Sequence, residues 1–93
     1  MTTQTLQITQ RVIFRVWTRA DARGDVIAFF PDQEANPGMV GAYEHIGQHG
    51  EADYYGLLKV TRPATPEEYA PLLKELKNVG YVLRVVRRLG RAS

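Results

Sequence analysis

The sequence predicts an α+β fold: a two-layer sandwich with a mainly antiparallel sheet of about four strands and a helix packed on one face. Three observations carry that expectation. Residues 6–16 and 81–89 alternate apolar with polar side chains, the period of a strand with one wet and one buried face. Between them, "TPEEYAPLLKELKNVG" carries both the cap and the apolar stripe of a helix. Glycine and proline punctuate the remainder at short intervals, as turns between strands do.

The first strand is expected over 5–17. Leu6, Ile8, Val12, Phe14 and Val16 form its buried face, with Gln10 the exception and a candidate bulge. Gln7, Thr9, Arg11, Ile13 and Arg15 form the wet face. The turn "TRADARGD" follows, with Gly24 suited to a positive φ. Its Arg23-Gly24-Asp25 tripeptide is an integrin ligand in extracellular proteins, but between two strands it reads as a plain turn. "VIAFF", 26–30, is apolar on both faces and so central or covered, and Pro31 ends it. These two strands should form a hairpin. The loop "PDQEANPGM" contains Pro37-Gly38, a pair suited to a type II turn. A third strand is expected over 39–46, with Tyr43 and His45 on one face and Ala42, Glu44 and Ile46 on the other.

Residues 51–60, "EADYYGLLKV", suit a short helix, with acids in the first turn and Lys59 in the last, although Gly56 argues against it. The helix over 66–79 is the clearest local signal. Thr65 is its N-cap, Pro66 its first residue, and Glu68 completes a capping box. Tyr69, Leu72, Leu73, Leu76 and Val79 form one stripe, Pro71 falls in the second turn, and Gly80 stops the helix. The last strand, 81–89, should bury Tyr81, Leu83, Val85, Arg87 and Leu89.

Ninety-three residues make one domain, 1–93, with frayed ends expected at 1–4 and 90–93. A chain of this size buries roughly 60–65% of its unfolded surface. Apolar residues are 44% and charged residues 24%, an ordinary soluble balance. There is no cysteine, hence no disulfide and no thiolate zinc site, which fits a cytoplasmic location. No run approaches about 18 apolar residues, so no membrane span is expected. "MTTQTLQITQ" has neither the basic nor the apolar region of a signal peptide.

The charges are sorted along the chain. Residues 11–23 hold four Arg and one Asp; 24–58 hold six acids and neither Lys nor Arg; 59–93 hold eight bases and three acids. Such a chain either folds its basic ends onto its acidic middle or presents faces of opposite sign.

The pattern Tyr-x-His-x-Gly-Gln-His-Gly at 43–50, followed by Thr-x-Pro-Ala-Thr-x-x-Glu-Tyr at 61–69, resembles a group of short, uncharacterised bacterial proteins associated with phage and plasmid elements as well as chromosomes. The resemblance covers roughly residues 11–88. It implies a self-contained small protein, with a mobile-element origin as one reading, and gives neither His45 nor His49 a catalytic role.

Polar side chains gather at 43–54: Tyr43, His45, Gln48, His49, Glu51, Asp53 and Tyr54 are the candidate ligand or partner site. His45 and His49 have the i, i+4 spacing of a helical zinc motif, with Glu44, Glu51 or Asp53 as a third ligand. The motif needs a helix and a Glu directly after the first His, whereas Ile46 follows here and Gly47 interrupts. A histidine beside Glu51 or Asp53 would suit general-base chemistry, but no cysteine is present and Ser93 is the one serine. The alternative is structural: polar groups satisfying backbone where a strand turns into a helix. No catalytic residue, metal or cofactor is therefore assigned.

A second candidate is nucleic-acid binding. Arg11, Arg15, Trp17 and Arg19 on the first strand and Arg84 and Arg88 on the last would form an Arg-rich sheet face with one aromatic. A third is a protein partner or a homodimer, through an open sheet edge or through Trp17. The expectation is a non-enzymatic interaction or accessory protein. Nucleic-acid binding is the alternative, and a metal or hydrolytic site at 43–55 comes third.

Overall fold

A computed structural model of the chain describes residues 9–18, 24–33, 39–44 and 48–87. The expected frayed ends, the Pro37-Gly38 turn and His45 lie outside the described residues. The elements run β1 (Gln10–Trp17), β2 (Val26–Phe30), β3 (Val40–Glu44), β4 (Gln48–Ala52), α1 (Tyr54–Leu57), a 3-10 turn (Leu58–Val60), β5 (Thr61–Pro63), α2 (Pro66–Val79) and β6 (Leu83–Val86).

The strands make one six-stranded mixed sheet in the order β4-β3-β2-β1, with β5 and β6 both on the far side of β1. β1 and β2 form the expected antiparallel hairpin, Ile13 opposite Phe29. β2–β3 and β3–β4 are also antiparallel. The free edge of β1 is divided. β5 runs antiparallel to it beside Arg15–Trp17, and β6 runs parallel to it beside Gln10–Ile13. The α+β class holds, and the sheet is larger than four strands.

The sheet separates two apolar clusters. On the first face Val12, Phe14, Ala28, Phe30 and Tyr43 meet Leu72 and Leu76 of α2. Phe14 stacks on Tyr69 at 4.5 Å between ring centres, and Phe30 on Tyr81 at 5.0 Å. On the second face Ile13, Ile27, Phe29, Ala42 and Ala52 meet Tyr54 of α1. Tyr54 stands edge-on to Phe29, with ring centres 5.2 Å apart. Every residue from Val12 to Val16 is consequently buried. This corrects the expectation of a wet face on the first strand: the segment 54–60 covers it.

α2 forms where its cap and stripe place it. The Thr65 hydroxyl accepts from the Glu68 N–H, and the Glu68 carboxylate accepts from the Thr65 N–H at 2.9 Å. Gly80 ends the helix at φ 123°, and its N–H donates to Leu76 and Lys77 carbonyls. The buried stripe ends at Leu76, because Val79 is 59% exposed.

Arg62 also grips Glu68, its Nη2 lying 2.5 Å from Oε2. That contact first, and the Thr65 N–H second, hold the Glu68 carboxyl at about 2, well below its ordinary 4.5. A folded pKa below the unfolded one means that the contribution is complete above pH 4.5 and is lost as pH falls through about 2. Acid unfolding followed by circular dichroism should therefore show a shallower acid limb in Glu68→Gln than in wild type. An unchanged limb would place the pH dependence elsewhere.

Candidate functional site

The residues at 43–54 fall on a hairpin and the helix after it. β3 and β4 pair with Tyr43 opposite His49, Glu44 opposite Gln48 and Gly41 opposite Glu51. The stretch was expected to pass from strand into helix, but β4 intervenes. The α1 that follows is shorter than the helix expected over 51–60, and a 3-10 turn completes that segment. Asp53 caps α1: its Oδ1 accepts from the Gly56 N–H at 3.1 Å. A Cβ on Gly56 would run into that same carboxylate. Gly56, which counted against a helix in the sequence, is what lets the cap close.

The side chains of Tyr43, Asp53 and Tyr54 are engaged separately. Tyr43 is buried on the first face, and its hydroxyl donates to the Glu75 carboxylate of α2. Tyr54 is buried on the second face. Asp53 is engaged in its own helix cap. Gln48, His49 and Glu51 follow one another along β4. Among the described residues no group of three or more His, Asp or Glu is placed to hold a metal ion.

The Arg-rich face is dispersed in a different way. Arg11 pairs with Asp32, Nη2 to Oδ1 at 2.7 Å, and that hydrogen bond lowers the Asp32 pKa. Arg15 is only 8% exposed: Nε donates to Thr61 Oγ1 at 2.7 Å and Nη2 to the Thr61 carbonyl at 2.8 Å. Burial pushes its pKa down. Trp17 is half-buried against the second cluster. Arg84 is exposed and lies opposite Arg11 in the parallel register. Arg19 and Arg88 lie outside the described residues.

A groove of about 440 Å³ opens on the second face, within the range usual for ligand sites. Ile27, Ala42, Gly50 and Ala52 contribute from the sheet, and Trp17, Met39 and Leu57 add larger apolar groups. Tyr43, Glu44, Glu51 and Asp53 also line it, and among the described residues no Lys or Arg does. Gly50 through Asp53 line it consecutively. Ala42 through Glu44 of β3 do the same; side chains of a strand alternate between faces, so the backbones of β3 and β4 both border the groove. β4 ends the strand order, with β3 as its neighbour.

Sequence reading identified Tyr43, Glu51 and Asp53 here but missed Trp17 as part of the same site, and also Met39, Ala42 and Gly50. The available signal was size: Ala42, Gly50 and Ala52 are small residues that fall on one face once β4 is paired with β3. No protein-family model, curated protein or solved structure matches this chain. No helix among the described residues is long and apolar enough to cross a membrane.

Proposed function

We propose that this chain is a small protein-interaction module that takes an extended segment of another protein along the outer edge of β4, with side chains entering the adjoining groove. The observation that carries this reading is that β4, which ends the strand order, lines the groove with Gly50, Glu51 and Ala52. An edge strand offers a row of N–H and C=O groups to an incoming strand, and a pocket beside it supplies selectivity through alternate side chains. The Arg face supports nucleic-acid binding less well, since Arg15 is held in the core by Thr61.

Selection of a random peptide library against the whole protein tests the reading. Enriched peptides should shift the amide NMR signals of Gln48–Asp53. Enrichment of peptides that shift only residues elsewhere, or no enrichment at all, counts against it.

A further inference from the structure

We infer that the opposite end of the sheet carries a second docking edge, along β6, which takes an extended segment of another protein rich in aspartate or glutamate. This edge is independent of β4. Among the described residues β6 pairs with β1 alone. The Gln10 N–H donates to the Val82 carbonyl at 2.8 Å, in the register that sets Gln10 opposite Leu83. Backbone groups of successive strand residues turn to alternate sides. Val82, Arg84 and Val86 therefore turn theirs to β1, while Leu83 and Val85 turn their N–H and C=O groups outward. That outward row is what an incoming strand joins.

A groove of about 260 Å³ lies on the first face, where β6 ends against β5 and the start of α2. Phe14, Pro63, Ala64, Pro66, Tyr69 and Val85 give it apolar walls, and Val85 is 36% exposed there. Arg87 is the one charged residue among the described residues that line it. Arg84 lies on the other face, opposite Arg11 in the parallel register. Arg84 and Arg87 are both exposed, and within the described residues no hydrogen bond or ion pair engages either. Asp32, whose carboxyl feels Arg84, is already held by Arg11. At the start of α2, Glu68 is held by Arg62, and Glu67 does not line the groove. Residues 81–93 as a whole contain four Arg and no acid.

An added strand alternates its side chains between the two faces. On the first face they meet the apolar groove, and on the second they meet Arg84. Alternating apolar and acidic residues satisfy both, because opposite charges across a strand pair attract and arginine binds carboxylate well. Arg87 adds to the same field. A nucleic acid would use the arginines but leave the outward backbone row unjoined and the groove without an apolar side chain. A second copy pairing β6 with β6 would bring arginine toward arginine, which destabilises a strand pair.

Three end-blocked hexapeptides of alternating sequence, Glu-Val, Thr-Val and Lys-Val, and a single-stranded oligothymidine test the edge by calorimetry and amide hydrogen exchange on the whole protein. The Glu-Val peptide is expected to bind, to slow exchange of the Leu83 and Val85 amides, and to weaken as salt is raised. Thr-Val should bind at least about tenfold more weakly, and Lys-Val more weakly still. Arg84→Gln combined with Arg87→Gln changes two exposed side chains. It should keep the thermal midpoint while weakening Glu-Val at least about tenfold. Val85→Pro removes one outward N–H, a change that edge strands accept, and should abolish the protection of Leu83.

Equal binding by Thr-Val would overturn the acidic partner. Failure of all three peptides, or Glu-Val binding that survives the double Arg variant, would overturn the inference. Binding that protects no β6 amide would reduce the effect to general charge attraction and overturn it too. Protection confined to β4 would assign the peptide to the other edge, overturning this one and leaving the β4 reading standing. Tighter binding of oligothymidine at β6 would make the surface one for nucleic acid. Concentration-dependent protection of β6 without peptide would make it a dimer contact, and either result overturns the inference.

Discussion

Arg15→Glu is expected to lower stability by about 3–5 kcal/mol, the usual result of leaving a charge buried without its partners. A domain of this size is stable by only about 5–15 kcal/mol in total, so much of the population would unfold under mild denaturant. The guanidinium lies under the segment 54–61, where its two hydrogen bonds go to the hydroxyl and the carbonyl of Thr61. A carboxylate in its place would have two oxygens where two donors are needed. Arg15→Met should be far milder. It keeps a long flexible stem, and Thr61 Oγ1 still donates to the Leu57 carbonyl at 2.8 Å. Both guanidinium donors are lost, and the one that matters is the donor to the Thr61 carbonyl, about 1–3 kcal/mol if that acceptor stays unpaired. Removing a cation whose pKa is depressed by burial offsets part of that loss. Urea unfolding of the two variants beside wild type decides the matter. If Arg15→Glu stays within about 0.5 kcal/mol of wild type, Arg15 behaves as a surface residue and the second core is misplaced.

Leu76→Ala should cost about 2–5 kcal/mol, because a cavity is left where α2 meets the sheet. Leu76 is fully buried, in the same cluster as Val12, Phe30 and Tyr43. Val79→Ala, one turn further on, should change stability by less than about 0.5 kcal/mol, since Val79 stands at the exposed end of the helix. The sequence stripe puts both residues on one face. Comparable denaturation midpoints for the two variants would show that α2 is rotated from the position described above.

These contrasts mark where local sequence carries the fold and where it does not. α2 was legible to the residue, because Thr65, Pro66, Glu68 and Gly80 each act within one turn of their own position. The β1–β2 hairpin was legible because both strands are rich in branched and aromatic residues. β4 was not, because "QHGEA" has no strand-forming residue and is held in place by pairing with β3. β5 was hidden by Pro63, which reads as a breaker but is tolerated beside β1. Arg15 was placed on a solvated face because nothing local announces that Thr61, 46 residues away, will receive it. The candidate site shares this pattern. Its polar residues were visible, but the groove depends on Trp17, Ala42 and Gly50 meeting across strands.

The divided edge of β1 has a kinetic consequence. The half beside Arg15–Trp17 is closed by β5, while the half beside Gln10–Ile13 waits for β6, the last described strand. During synthesis the hairpin, α1 and β5 emerge first, leaving Gln10–Ile13 as a temporary open edge at the centre of the sheet. Parallel pairing between segments so distant in sequence is slow to form. Any delay in delivering Leu83–Val86 prolongs an interval in which nascent chains can pair with one another instead. Refolding yield should thus fall with concentration more steeply than the small size of the domain suggests, and β6 sets how long that vulnerability lasts.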